Sequence, residues 1–333
     1  MSLPPSTAFN NFSSHLPIRS HDNVSELLSH FIKTGSEWVG SPECQRLMQK
    51  HANQLVLKAS YIQHAILAFS ASHIAYLHAS EKRYTAKKYT FAASFHYQRS
   101  LQQYNSHLGT SWNVADINEI IGCSHLLTML AFASLHLGNG SDGFTWLRAM
   151  RGVPTLWSTN NLGAHLKKSI WHTVCDESHE GLYGMSCSHT EFSGEDFPGS
   201  KICVALNKLC AAQGNLSTFQ NAYEGPLHSL CQLMTLDNNR DKIGRYIYFI
   251  GSLPEAFLLL LDKNDPIALL IICYWCAFFS QINQWWITRS ALVECERLCR
   301  YLGELPDPQI DPLLQYPAGK CGFVLTRYNN DRQ

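Results

Sequence analysis

The segment Asn264–Phe279 constrains the fold more than any other stretch of the chain. Asp265 is placed to cap a helix, and Pro266 falls at the first helical position, where a missing N–H costs nothing. The run behind them, Ile267-Ala-Leu-Leu-Ile-Ile-Cys-Tyr-Trp-Cys-Ala-Phe-Phe279, is apolar on every face. Such a helix is covered on all sides and needs several other elements around it. The run is too short to span a bilayer. It therefore predicts the centre of a multi-helix core.

The rest of the chain supports this. Ile62, Ile66, Phe69, His73 and Tyr76 recur at three and four, one helical face. A further helix is predicted over about 85–107, with Ala93, His96, Tyr97, Leu101 and Tyr104. The apolar stretch 118–137 ends at Gly138-Asn139-Gly140, a turn signal. The pattern weakens from Trp157 to Cys203. It resumes over 202–212, 226–235, 241–249 and 254–261, and a mixed helix comes after Trp286. Pro306, Pro308, Pro312 and Pro317 predict an extended tail. No alternating strand pattern of useful length occurs. The expectation is an all-α fold: a flexible lead over 1–20, then a single helical domain over 21–333, packed around a central hydrophobic pocket.

Charged residues make up only 16% of the chain, against a typical share of about 25%. That points to a large apolar interior or to an apolar surface shared with a partner. The formal net charge is zero and no basic tract is present, which argues against direct nucleic-acid binding. The twelve cysteines fall mostly at helical spacings, and Cys273-x-x-Cys276 lies inside the apolar helix. They read as buried thiols, since free Cys is among the most buried residue types. No metal and no cofactor is expected. Residues 1–20 have no apolar core of a signal peptide, so an intracellular location, cytoplasmic or nuclear, with reduced thiols is expected.

Several of these segments resemble the C-terminal effector domain of fungal zinc-cluster transcription factors of the sterol uptake control type. Leu27, Leu28, His30, Phe31 and Thr34 resemble its opening segment. Tyr61–Ala75 is similar to its "L-L-H-A-I-L-A-L-S-A-L-H-L-A" stretch almost position by position. His96-Tyr97, Trp146-Leu147 through Arg151-Gly152, the Tyr274-Trp275-Cys276-Ala277 helix with Trp285-Trp286 after it, and Tyr316-Pro317 continue the likeness. It covers roughly 25–155 and 254–323. The family's zinc cluster needs six cysteines in a compact basic segment, and this chain's first cysteine is Cys44.

The resemblance implies a helical bundle that holds a sterol- or terpenoid-like molecule. It implies a ligand wall of Phe69, Ser70, His73, His125, Trp146, Tyr274, Trp275, Phe278, Phe279 and Trp285. An aromatic stripe at helical spacing is usually plain core, and core packing is the first reading of these residues. A homodimer or a regulatory protein partner is a further implication. The alternative is a repurposed cofactor-independent enzyme, a cyclase, isomerase or pericyclase, using the same pocket. Its acid/base candidates are His64, His73, His125, Asp176 and Glu177. His172, Asp176, Glu177 and His179 read either as a metal or acid/base cluster or as the solvated end of a helix. No H-E-x-x-H, phosphate loop or nucleophile elbow occurs.

Overall fold

The computed structural model describes residues 24–109, 113–136, 144–158, 167–174, 199–212, 220–237, 239–305 and 307–325. It is an all-α multi-helix bundle with no strand among the described residues. The expected lead over 1–20 lies outside them. The chain divides into two compact units. One comprises residues 1–178 with 284–286, the other residues 179–283 with 287–333. Among the described residues no single helix is long and apolar enough to cross a membrane. The segments Arg240–Ser252 and Glu255–Asp262 reach that composition only together, across an 80° bend.

The first unit is built on α1 (Val24–Lys33), α2 (Pro42–Lys58), α3 (Ser60–Leu77), α4 (Arg83–Leu108), α5 (Ile117–Ala133) and α6 (Thr145–Ser158). The sequence pattern does not announce α2. Its start is nevertheless well specified: Ser41 Oγ accepts from the Cys44 N–H at 3.3 Å, and Pro42 takes the first turn. Ala59 is extended and breaks α2 from α3. α3 and α4 form an antiparallel hairpin. Ser100 Oγ donates to the Tyr61 carbonyl at 2.8 Å near one end, and Ala71 packs with Tyr89 near the other. α1 runs parallel to α3, with Ser70 Oγ donating to the Leu27 carbonyl at 2.6 Å and His30 meeting His73. α5 crosses this pair, and Tyr104 donates to the Ile120 carbonyl at 3.3 Å. Gly122 is where α5 comes closest to its neighbours. A Cβ there would sit 3.0 Å from both Ile62 Cδ1 and Trp171 Cζ2.

The second unit holds α7 (Ser200–Ala212), α8 (Gln220–Met234), α9 (Ile243–Ser252), α10 (Glu255–Asp262), α11 (Pro266–Phe279) and α13 (Asp311–Cys321). It also holds all but the first two residues of α12 (Trp285–Glu304). α11 is the expected all-round apolar helix: every residue from Ile267 to Ala277 is buried. Asn264 takes the left-handed conformation that Asn tolerates. Asp265 Oδ1 then accepts from the Ala268 N–H at 2.9 Å. Trp275 donates its indole N–H to the Tyr246 carbonyl at 3.1 Å and stacks with Phe249.

The expected extended tail is instead helix α13, and the reason is local. Pro312 sits in its first turn, where proline is favoured. Pro317 lies inside and cannot donate to the carbonyl of Leu313. That carbonyl accepts the Tyr274 hydroxyl at 2.6 Å instead, so the acceptor is satisfied. Gly322, left-handed, closes the helix.

Candidate functional site

A cleft of about 880 Å³ opens in the first unit. The break at Ala59 creates it. Lys58 ends α2, Ser60 and Tyr61 open α3, and the last turns of α4 bring Arg99, Gln103 and His107. The short 3-10 turn Val114–Asp116 and the first turn of α5 add Asp116 and Glu119. Glu119 stands where the free N–H groups of a helix favour a carboxylate. Its side chain is almost wholly buried and lies 3.2 Å from the exposed ammonium of Lys58. His107 Nε2 lies 3.8 Å from Asp116 Oδ2, and the His107 ring stacks on Tyr61 with centroids 5.1 Å apart. Burial raises the Tyr61 hydroxyl pKa well above the usual phenol value, with Cys123, Glu119 and Asp116 adding to it. Two buried acceptors of this cleft, Gln103 Oε1 and Glu119 Oε2, receive no hydrogen bond from the described residues.

Two histidine pairs lie on the helices beside it. His64 Nδ1 and His96 Nδ1 are 2.8 Å apart across the α3–α4 hairpin. His30 Nε2 and His73 Nδ1 are 3.1 Å apart between α1 and α3. Each contact has room for one proton, so one ring donates and the other accepts. Burial pushes His96 down to about 4, with the charge of His64 adding to the effect. Burial and His30 bring His73 to about 4 as well. His64 is lowered by burial and then by Arg99. His30 is lowered by burial, which outweighs the opposing pull of Glu26.

Of the residues expected to form the ligand wall, Phe69, His73 and Trp285 come together, while Ser70 is taken up by the Leu27 carbonyl. Trp285 stacks on His73 at 5.3 Å and meets Phe69 edge-on at 5.2 Å. Trp146 pairs with Phe132, and His125 sits against Trp171. His125 Nδ1 donates to the Ile121 carbonyl at 2.9 Å, and burial lowers its pKa. All of these lie in the first unit. Tyr274, Trp275, Phe278 and Phe279 lie in the second. There Tyr274 and Phe278 stack on Tyr316, and Phe279 stacks on Tyr246. The aromatic stripes thus pack chiefly on one another. Asp176, Glu177 and His179 fall outside the described residues. His172, exposed, donates from Nδ1 to the Ser169 carbonyl at 3.1 Å.

The cleft residues Lys58, Gln103, His107, Asp116 and Glu119 escape a reading of motifs. Their one signal is a carboxylate, Glu119, set inside the apolar run from Ile117 to Ala133. No family model matches the chain, and no curated protein matches it.

Proposed function

We propose that the chain is a small-molecule-binding module of the effector-domain kind that the sequence resembles, without its own DNA-binding domain, and that its site is the cleft of the first unit. The observation that carries this reading is the pair of buried acceptors, Glu119 Oε2 and Gln103 Oε1, on two residues that line one cleft, without a hydrogen-bond donor among the described residues. A buried polar group left without a partner costs about 1–3 kcal/mol, and a ligand hydroxyl or amine at this place recovers it. The cleft itself, with Lys58, Arg99, Gln103, His107 and Asp116 around Glu119, calls for a ligand with a donor group facing Glu119; its sterol- or terpenoid-like bulk is what the resemblance implies. Tyr61, Ala59 and Ala115 offer it apolar contact. A homodimer or a regulatory protein partner belongs to the same reading.

A second reading is a cofactor-independent enzyme using the same cleft. The proximity of His107 to Asp116, 3.8 Å apart and so just beyond a hydrogen bond, favours it, because substrate binding that closes this gap would orient the imidazole for proton transfer. Native mass spectrometry of the purified chain, followed by extraction of bound material, tests both. An amphiphile recovered unchanged from the wild type, with affinity about tenfold lower in Glu119→Gln, supports the binding module. A supplied candidate that is altered only in the presence of protein, with turnover lost in His107→Gln, supports the enzyme. Binding indifferent to both Glu119→Gln and Gln103→Leu removes the cleft from consideration.

A further inference from the structure

Four cysteines of the second unit converge from three helices. Cys273 comes from the middle of α11, Cys295 and Cys299 from one face of α12 at i, i+4, and Cys321 from the last residue of α13. Cys273 Sγ lies 3.5 Å from Cys299 Sγ and 3.9 Å from Cys295 Sγ, and Cys321 Sγ lies 4.0 Å from Cys299 Sγ. The sulfurs of Cys273, Cys295 and Cys299 all lie within 4.8 Å of one another, and all three residues are buried. A tetrahedron of thiolates with zinc–sulfur bonds of about 2.3 Å has sulfur–sulfur edges of about 3.8 Å. The separations of 3.5, 3.9 and 4.0 Å bracket that edge; Cys321 touches the triangle at Cys299 and stands outside it, so it would have to move in as the fourth ligand.

Buried thiols are common as plain core residues, and the sequence reading of these cysteines rests on that. Plain core does not account for sulfurs from different helices being brought into mutual contact in place of hydrocarbon. A disulfide is also a poor description: it would join two members of the triangle and leave the third against them. The second cysteine pair that Cys273-x-x-Cys276 lacks locally is supplied by α12, and Cys276 itself is not part of the triangle. The alignment is legible afterwards as spacing: 22 residues separate Cys273 from Cys295, and 22 separate Cys299 from Cys321.

We propose that Cys273, Cys295, Cys299 and Cys321 form a structural Zn²⁺ site. In the thiol form Cys273 donates to the Cys295 carbonyl, Cys295 to that of Pro317 at 3.5 Å, and Cys321 to that of Ala318. On binding, each thiol gives its proton to solvent and its sulfur lone pair to the cation. No oxidant or reductant takes part, and affinity rises with pH. All-sulfur ligation selects zinc over the harder divalent cations, and four closed positions suit a structural site. Arg297, on the same helix as Cys295 and Cys299, is held by Glu294 at 2.7 and 2.8 Å. The site ties α11, α12 and α13 together at one point.

The test uses the full chain purified under reducing conditions. Elemental analysis should return one zinc per chain. Chain stripped of metal and refilled with Co²⁺ should show the intense sulfur-to-cobalt charge transfer and visible bands of a tetrahedral thiolate site. Cys299→Ser should abolish both signals. Because that variant removes a fully buried group, Cys321→Ser serves beside it. Cys321 is half-buried at a helix end, so the variant should keep its helical circular dichroism while losing zinc affinity by at least about tenfold in chelator competition. Cys276→Ser, on the same helix but outside the triangle, should keep one zinc per chain. A folded wild type that neither carries zinc nor gives the thiolate–cobalt spectrum overturns the proposal. So does zinc content unchanged in both Cys299→Ser and Cys321→Ser. Stoichiometric copper in place of zinc overturns the assignment of the metal.

Discussion

α3 and α11 have similar outlines and opposite chemistry. Both are apolar, and both are buried over most of their length. α3 carries His64, Ser70 and His73 among its apolar residues, and each is answered by a hydrogen-bonding group on α1 or α4. α11 carries no imidazole or carboxylate. Its polar atoms are an indole, a phenol and two thiols, and the first two donate to backbone carbonyls. The contrast teaches that a buried helix can be specified in two ways. One is a set of mutual polar contacts that hold only in one register and one protonation state. The other is close packing, in which shape does the work. Helices of the first kind respond to protons, and helices of the second respond to lost volume.

The largest expected effect comes from attacking packing in α11. Trp275→Ala removes a wholly buried ring that touches Phe249 and Phe279 and leaves the Tyr246 carbonyl without its donor. The expected cost is about 3–5 kcal/mol, read as a fall in the denaturant midpoint. If Trp275 were instead the wall of a vacant ligand pocket, the loss would be much smaller, and this description of α11 would fail.

Next in size is the response to pH of the histidine contacts that α3 makes. His73 and His96 sit near 4 when folded, against an ordinary value of about 6.5. Between those values the unfolded chain binds more protons than the folded one. Stability is therefore complete above about pH 6.5 and falls as the pH drops toward 4. The slope is at most about 1.4 kcal/mol per pH unit for each ring. Denaturant melts at pH 7.5, 6 and 5 should show the loss, and His73→Gln should flatten one share of it. A wild-type slope identical to that of the variant would contradict the burial of a neutral His73.

A smaller effect is expected at Gly122. Gly122→Ala gains about 1 kcal/mol of helix propensity but forces the Ile62 methyl and the Trp171 ring to yield. Overpacking of this kind costs about 1–3 kcal/mol, so the net result is a destabilisation of about 1 kcal/mol in a thermal melt. Pairing Gly122→Ala with Ile62→Val should recover part of it, since the nearest atom is the Ile62 Cδ1 that valine lacks.

Legibility in the sequence divides along the same line. α11 is legible down to its cap, because thirteen apolar residues after Asp265-Pro266 leave few alternatives. The helical faces of α3 and α4 are legible from periodicity. α2 is not, because its buried residues Cys44, Met48, Ala52 and Leu55 are sparse and small for an apolar stripe. α13 reads as extended because the rule against proline inside helices assumes an unsatisfied carbonyl. The hydroxyl that satisfies it comes from Tyr274, 39 residues away. Both sites have that character as well. Glu119 meets Lys58 and Cys273 meets Cys299 only once helices distant in sequence are packed, and no local pattern encodes a meeting of that kind.

The smallest effect, that of Asp265→Asn, lies at the start of α11, and beside Asp265→Ala it separates local encoding from packing within one helix. Asp265 accepts from the Ala268 N–H and also takes a hydrogen bond from the Tyr223 side chain. Asp265→Ala removes both and should lower stability by about 1–2 kcal/mol. Asp265→Asn keeps an oxygen that caps nearly as well, and should cost only a few tenths of a kcal/mol. Equal losses in the two variants would show that the charge of Asp265, rather than its capping geometry, matters there. Near-zero losses in both would mean that packing alone starts the helix. The expected ordering, alanine well below asparagine and both far above Trp275→Ala in stability, ranks the two contributions. The cap sets where α11 begins, and the filled space around Trp275 sets whether it forms at all.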